Sequence, residues 1–224
     1  MDRRNFIRTG GMAVAGALMA PSFAFCTSDD KTNTSVSAAM KHFGISDSDI
    51  RKTLTAALEK GGDYADLFFE HTFNNSIGLQ DGAVNRSNSN IDFGMGVRVL
   101  SGDQTGYAYI ENITLDEMLK AARTAARIAD SGAKTAPVSL TEKPITNNFY
   151  AIVSPWEEVQ LKEKVPYLQK LNDKVFALDS RVQKVSASLN DSTSHILFCN
   201  SEGVSYYDYR PMVTLGAVCI MEEN

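Results

Sequence analysis

Three histidines (His42, His71, His195) and three cysteines (Cys26, Cys199, Cys219) are the side chains here best suited to metal or nucleophilic chemistry. Their spacing assembles neither. A zinc helix of the His-Glu-x-x-His kind needs two histidines one turn apart, and no two of the three are that close. His71 shares strand parity with Ala65, Leu67 and Phe69, so it reads as a partly buried sheet residue and not a ligand. Cys199 and Cys219 lie twenty residues apart. They read as buried thiols, with a mutual disulfide as the alternative. No Gly-x-Ser-x-Gly elbow offers a serine nucleophile. Gly94-x-Gly96 lacks the third glycine of a dinucleotide loop and opens a strand instead. Arg98 alternates with Val97 and Val99 on that strand. Two readings stay open for it: an outward-facing charge, or a contact to a partner domain or peptide. Gly94 and Gly96 would let another backbone approach closely there. The pairs Glu157-Glu158 and Glu222-Glu223 read as solvated acids.

The elements that must position these residues follow from periodicity. Ser46 or Asp47 caps a helix to about Lys60, with Ile50, Leu54, Ala57 and Leu58 on one face. Tyr64 to Thr72 and Asn74 to Gln80 read as strands, closed by the turn pair Asp81-Gly82. Ala83 to Ser89, Gly94 to Leu100 and Gln104 to Tyr109 are further strands. Thr114 and Glu117 form a capping box for a helix that buries Met118, Ala122, Ala125 and Ala129. Residues 131–154 carry Pro137 and Pro144 and show no period, as at a domain boundary. Ser154-Pro155-Trp156-Glu157 predicts a second capped helix, broken or kinked at Pro166. Strands then recur at Val182 to Leu189, His195 to Asn200, Val204 to Tyr209 and Met212 to Ile220. The order is helix, strands, helix, loop, helix, strands. That predicts an α+β fold: antiparallel sheets with packed helices in two helix-plus-meander segments.

The chain has 224 residues, 43% hydrophobic and 22% charged, with a formal net charge of -5. That is the composition of a globular protein with a real core. No Lys/Arg-rich run exists to bind nucleic acid. The N-terminus is different in kind. Arg3-Arg4 with Phe6 and Ile7, then the uncharged run Gly10 to Ala20, has the layout of an export signal. It is too short to span a bilayer. The arginine pair resembles a twin-arginine signal, the alternative being a chance pair in a general secretory one. Ser22-Phe23-Ala24 offers cleavage after Ala24. Cys26 offers lipidation instead. The expected location is therefore exported and periplasmic, alternatively lipid-anchored through Cys26. The expected divisions are an export signal over 1–26, a flexible linker over 27–43, and domains over 44–135 and 150–224.

Four runs carry a resemblance. They are Gly62-Asp63-Tyr64-Ala65-Asp66-Leu67, Leu79-Gln80-Asp81-Gly82, Gly94-Met95-Gly96-Val97-Arg98-Val99 and Thr105-Gly106-Tyr107-Ala108-Tyr109. In order and spacing they resemble the N-terminal domain of the TldD/PmbA family, on its TldD side. Asn200-Ser201-Glu202-Gly203 and Asp208-Tyr209-Arg210-Pro211 resemble that family's central segment. The resemblance implies part of a zinc metallopeptidase that cleaves unfolded peptides and pairs with a PmbA/TldE-like subunit or with itself. It also implies zinc on a His-Glu-x-x-x-His helix in a C-terminal domain. That motif does not occur here, so no catalytic or metal-binding residue carries over. The expectation is the scaffold and assembly portion of an exported TldD-type peptidase. The alternative is a complete, non-catalytic binding or assembly module of the same family.

Overall fold

A computed structural model describes residues 35–129, 137–145 and 155–223. The residues expected to direct export (Arg3, Arg4, Phe6, Ala24 and Cys26) lie outside these. Helices α1 (Val36–Phe43) and α2 (Asp47–Leu58) precede a meander of β1 (Tyr64–Gln80), β2 (Ala83–Ser101) and β3 (Gln104–Ile110). Helix α3 (Leu115–Ile128) and the short β4 (Thr141–Glu142) follow. A single 3-10 turn at Trp156–Glu158 leads into α4 (Leu161–Leu178), then β5 (Val182–Asn200) and β6 (Val204–Met221). The fold is α+β.

The two meanders share one six-stranded sheet in the order β3-β2-β1-β5-β6-β4. The ladder between β1 and β5 joins them, antiparallel from Asp66↔Asn200 to Gln80↔Ser186. All long pairings are antiparallel, and only the two-residue β4 runs parallel, beside β6. The strands are longer than local patterning suggests. Tyr64–Gln80 is one strand, not two, and the same holds for Ala83–Ser101, Val182–Asn200 and Val204–Met221. Polar stretches such as Asn74–Ser76 remain in the ladder because both neighbouring strands satisfy their backbones. Pro211 is tolerated opposite Thr193 on β6, which β4 flanks only at Val204 and Ser205.

Helix boundaries follow local chemistry with two departures. Ser46 accepts from the Asp49 amide while Asp49 accepts from the Ser46 amide, a full capping box for α2. Asp81 and Gly82 both take positive φ, 47° and 86°, as a tight I′ hairpin requires. The first departure is α1, which lies within the stretch expected to be a linker. Ser35 caps it, Gly44 ends it in the left-handed region, and Val36, Ala39 and Phe43 form its buried stripe. The second concerns α4. It begins at Leu161, not at Pro155, and runs unbroken through Pro166. Pro166 sits near the helix start, where the lost hydrogen bond falls in the first turns.

Both hydrophobic cores lie on the same face of the sheet. One gathers Leu67, Phe69, Met95 and Val97 under α1, α2 and α3. The other gathers Ile77, Leu79 and Leu189 under Leu168 and Leu171 of α4. Fully burying each such side chain contributes about 1.5–3 kcal/mol. Cys199 lies buried in the first core as a free thiol, and Cys219 packs at the second, also free.

Candidate functional site

Strand register gathers polar side chains on each face of the sheet. On the core-bearing face, His71 of β1 stands directly opposite His195 of β5, which stands opposite Tyr209 of β6. Opposed residues in an antiparallel pair share a face, so the three form one row. Helix α1 lays His42 on top of it. The His42 and His195 rings stack with centroids 4.4 Å apart, and His42 Nε2 lies 2.9 Å from His71 Nδ1. His195 Nδ1 lies 2.6 Å from the Tyr207 hydroxyl, and its Nε2 lies 3.6 Å from Glu157. The Tyr209 hydroxyl donates to both Glu157 oxygens at 2.9 Å. Every histidine of the chain is thus in one cluster.

Burial sets the electrostatics of this cluster. It lowers the His195 pKa to about 4, reinforced by His42 and opposed by Glu157. Desolvation also lowers His42 and His71. Burial raises Tyr207 to about 12, and raises Tyr209 together with its bond to Glu157. The rings are therefore neutral at pH 7 and joined by neutral hydrogen bonds. Next along the same face, Asp191 accepts from Asn75 and Lys164. The polar band lies between the two hydrophobic cores.

The opposite face carries a groove of about 480 Å³ where β3 ends. Gly94 and Gly96 form its floor, flanked by Phe68, Tyr107 and Tyr109. A Cβ at Gly96 would lie 2.7 Å from the Tyr107 hydroxyl, and one at Gly94 would strike the Ile110 carbonyl oxygen. Three carboxylates line the groove: Glu70, Asp92 and Glu111. Arg98 stands just outside it and is held by Asp66, with Nη2–Oδ2 at 2.5 Å and Nε–Oδ2 at 3.0 Å. Asp66 is nearly buried and Arg98 half-exposed. Arg98 is thus outward-facing and already paired. Gly94 and Gly96 line the groove, with the Tyr107 hydroxyl close to Gly96 and the Ile110 carbonyl close to Gly94. Sequence alone missed the histidine cluster, because contacts across 29 and 124 residues leave no local spacing. The signal available was parity: His71 and His195 each fall on the inward register of an apolar strand.

Two family descriptions match the chain in order. PmbA/TldA metallopeptidase domain 1 matches residues 65–129, and PmbA/TldA metallopeptidase central domain matches residues 154–224. The chain is 34% identical over 165 residues to the metalloprotease TldD homolog of Haemophilus influenzae, covering 72% of this chain and 34% of that protein. It is 31% identical over 180 residues to the homolog of Buchnera aphidicola subsp. Acyrthosiphon pisum, covering 80% and 37%. Among solved structures it resembles one described as a candidate modulator of a DNA gyrase from Thermotoga maritima. The TM-score is 0.60 at 19% identity, over 80% of this chain and 40% of that one. It also resembles TldE from Thermococcus kodakarensis, with a TM-score of 0.54 at 16% identity, over 78% and 40%. At these identities the structural likeness is one of fold. The chain spans about a third of the length of the curated relatives it matches.

The metal implied by these descriptions does not fit the described residues. Among the described residues no group of three or more His, Cys, Asp or Glu is placed to hold an ion. In the histidine cluster four of the six ring nitrogens already face another ring, Tyr207 or Glu157. Among the described residues no helix is long and apolar enough to cross a membrane.

Proposed function

The chain belongs to the PmbA/TldD metallopeptidase family, and we propose that it is the scaffold and assembly portion of an exported TldD-type zinc metallopeptidase acting on unfolded peptides. In this reading the zinc and its ligands belong to a domain outside these 224 residues. A PmbA/TldE-like subunit, or a second copy, completes the assembly. Arg3, Arg4 and Phe6 direct export in this reading, with Ala24 or Cys26 as the processing point.

The observation that carries the scaffold role is the β1–β5 ladder. It runs without a break from Asp66↔Asn200 to Gln80↔Ser186. The two family-matched regions therefore share one hydrogen-bonded sheet, a rigid platform on which a further domain can be held at fixed geometry.

The test compares peptidase activity on an unfolded peptide with and without a zinc chelator. The 224-residue chain should be inactive. The gene read past the Asn224 codon should encode a His-Glu-x-x-x-His segment, and the protein including it should cleave in a chelator-sensitive way. Chelator-sensitive cleavage by the 224-residue chain would overturn the reading. A stop codon directly after Asn224 would replace it with the non-catalytic assembly module.

A further inference from the structure

We propose that the groove floored by Gly94 and Gly96, with the free edge of β2 beside it, is a docking site for an extended basic polypeptide segment. The groove is on the sheet face opposite the hydrophobic cores, away from the histidine cluster. The proposal does not depend on where a catalytic metal lies.

β3 pairs with β2 only from Met95↔Ile110 to Ser101↔Gln104. Residues 83–94 of β2 therefore have a strand neighbour on the β1 side alone, among the described residues. Residues 83–92 are exposed. The groove lies where that neighbour is lost. A free edge of this length offers its outward N–H and C=O groups to an incoming strand that continues the line of β3.

Glu70, Asp92 and Glu111 all line the groove, and no Lys or Arg does. Their hydrogen-bond partners are neutral. Glu70 accepts from the Thr72 hydroxyl, Asp92 from the Asn74 amide, and Glu111 from the Tyr109 hydroxyl. Three carboxylates around one groove without a cation favour a positively charged occupant.

Tyr107 and Tyr109 are 60% and 58% exposed, and Phe68 is 37% exposed. Aromatic faces beside carboxylates suit a Lys or Arg side chain, whose alkyl stem covers the ring while its charge meets the acid. Gly94 and Gly96 add no side chain of their own to the floor, and the Tyr107 ring lies beside Gly96 for such a residue to cover. An acidic or purely apolar segment would leave the three carboxylates unpaired.

The test measures fluorescence anisotropy of a labelled peptide alternating lysine with valine, and of its glutamate-for-lysine counterpart. Both are run against the 224-residue chain at about 0.15 M salt. The lysine peptide should bind, and the glutamate peptide should bind at least about tenfold more weakly. The combined Glu70→Gln, Asp92→Asn and Glu111→Gln variant should lose about tenfold for the lysine peptide. Tyr109→Ser, a second variant that leaves all three acids in place, should weaken it as well. Amide shifts on binding should concentrate at residues 84–94. Equal binding of the two peptides, binding by neither, an unchanged affinity in both variants, or shifts confined elsewhere would each overturn the proposal.

Discussion

Lys164 Nζ lies 2.9 Å from both carboxylate oxygens of Asp191, with the two side chains only 3% and 1% exposed. The pair pins the start of α4 to the middle of β5. Asn75 donates to the same carboxylate, and Lys164 also donates to the Trp156 carbonyl. Lys164→Met would strand a buried carboxylate, and Asp191→Leu a buried ammonium. Each should cost about 3–5 kcal/mol. The double variant removes both charges and should cost clearly less than the two single losses together. Urea unfolding midpoints of the four proteins test this. Strict additivity would mean that the pair carries no coupling.

The histidine cluster should make the fold acid-sensitive. His195 titrates near pH 4 in the folded protein, against about 6.5 when unfolded. Between those values the unfolded chain binds more protons. Stability is therefore fully present above about pH 6.5 and is lost as pH falls toward 4. His42 and His71, which crowd the same ring, shift in the same direction. Glu157 faces His195 and opposes part of the effect. The melting temperature should fall from pH 7 to pH 5. His195→Gln should flatten that slope, and a slope unchanged by the substitution would remove His195 as its source.

Asp81-Gly82, Ser46 as the cap of α2 and Thr114 as the cap of α3 act over four residues or fewer, so turn and caps were legible, although Glu117 accepts from Lys120 and does not return to the Thr114 amide. The merging of short strands was not legible. Asn74–Ser76 has no apolar alternation, and only its pairing with β2 and β5 holds it extended. Helix α1 escaped because eight residues give a weak period, although Val36, Ala39 and Phe43 carry it. The histidine cluster and the Lys164–Asp191 pair depend on the register of β1 against β5, which no local pattern encodes.

Cys199 should be chemically silent in the folded protein. It is fully buried, and burial pushes its thiol up to about 12. At pH 8 almost no thiolate forms, and reagents have no path to the sulfur. Site-resolved mass spectrometry after iodoacetamide treatment should find Cys199 unmodified in buffer and modified in urea. Native labelling at Cys199 would mean that β5 opens locally.

Gly106 and Gly216 form a matched pair of strand glycines for testing close approach. Gly106 lies opposite Val99, under α3. A Cβ built there collides with the Ala125 carbonyl oxygen, which belongs to helix backbone and cannot rotate aside. Gly106→Ala must therefore push α3 off the sheet and disturb the packing of Ala122 and Met118. The expected cost is about 3 kcal/mol. Gly216 has nothing within 4 Å of its notional Cβ and no positive φ. Gly216→Ala should be neutral or stabilise by about 0.5 kcal/mol, by restricting the unfolded chain. Thermal melts of the two variants at pH 7 separate the effects. A Gly106→Ala protein as stable as wild type would show that α3 can slide along β3, and would remove the fixed distance on which this part of the core depends.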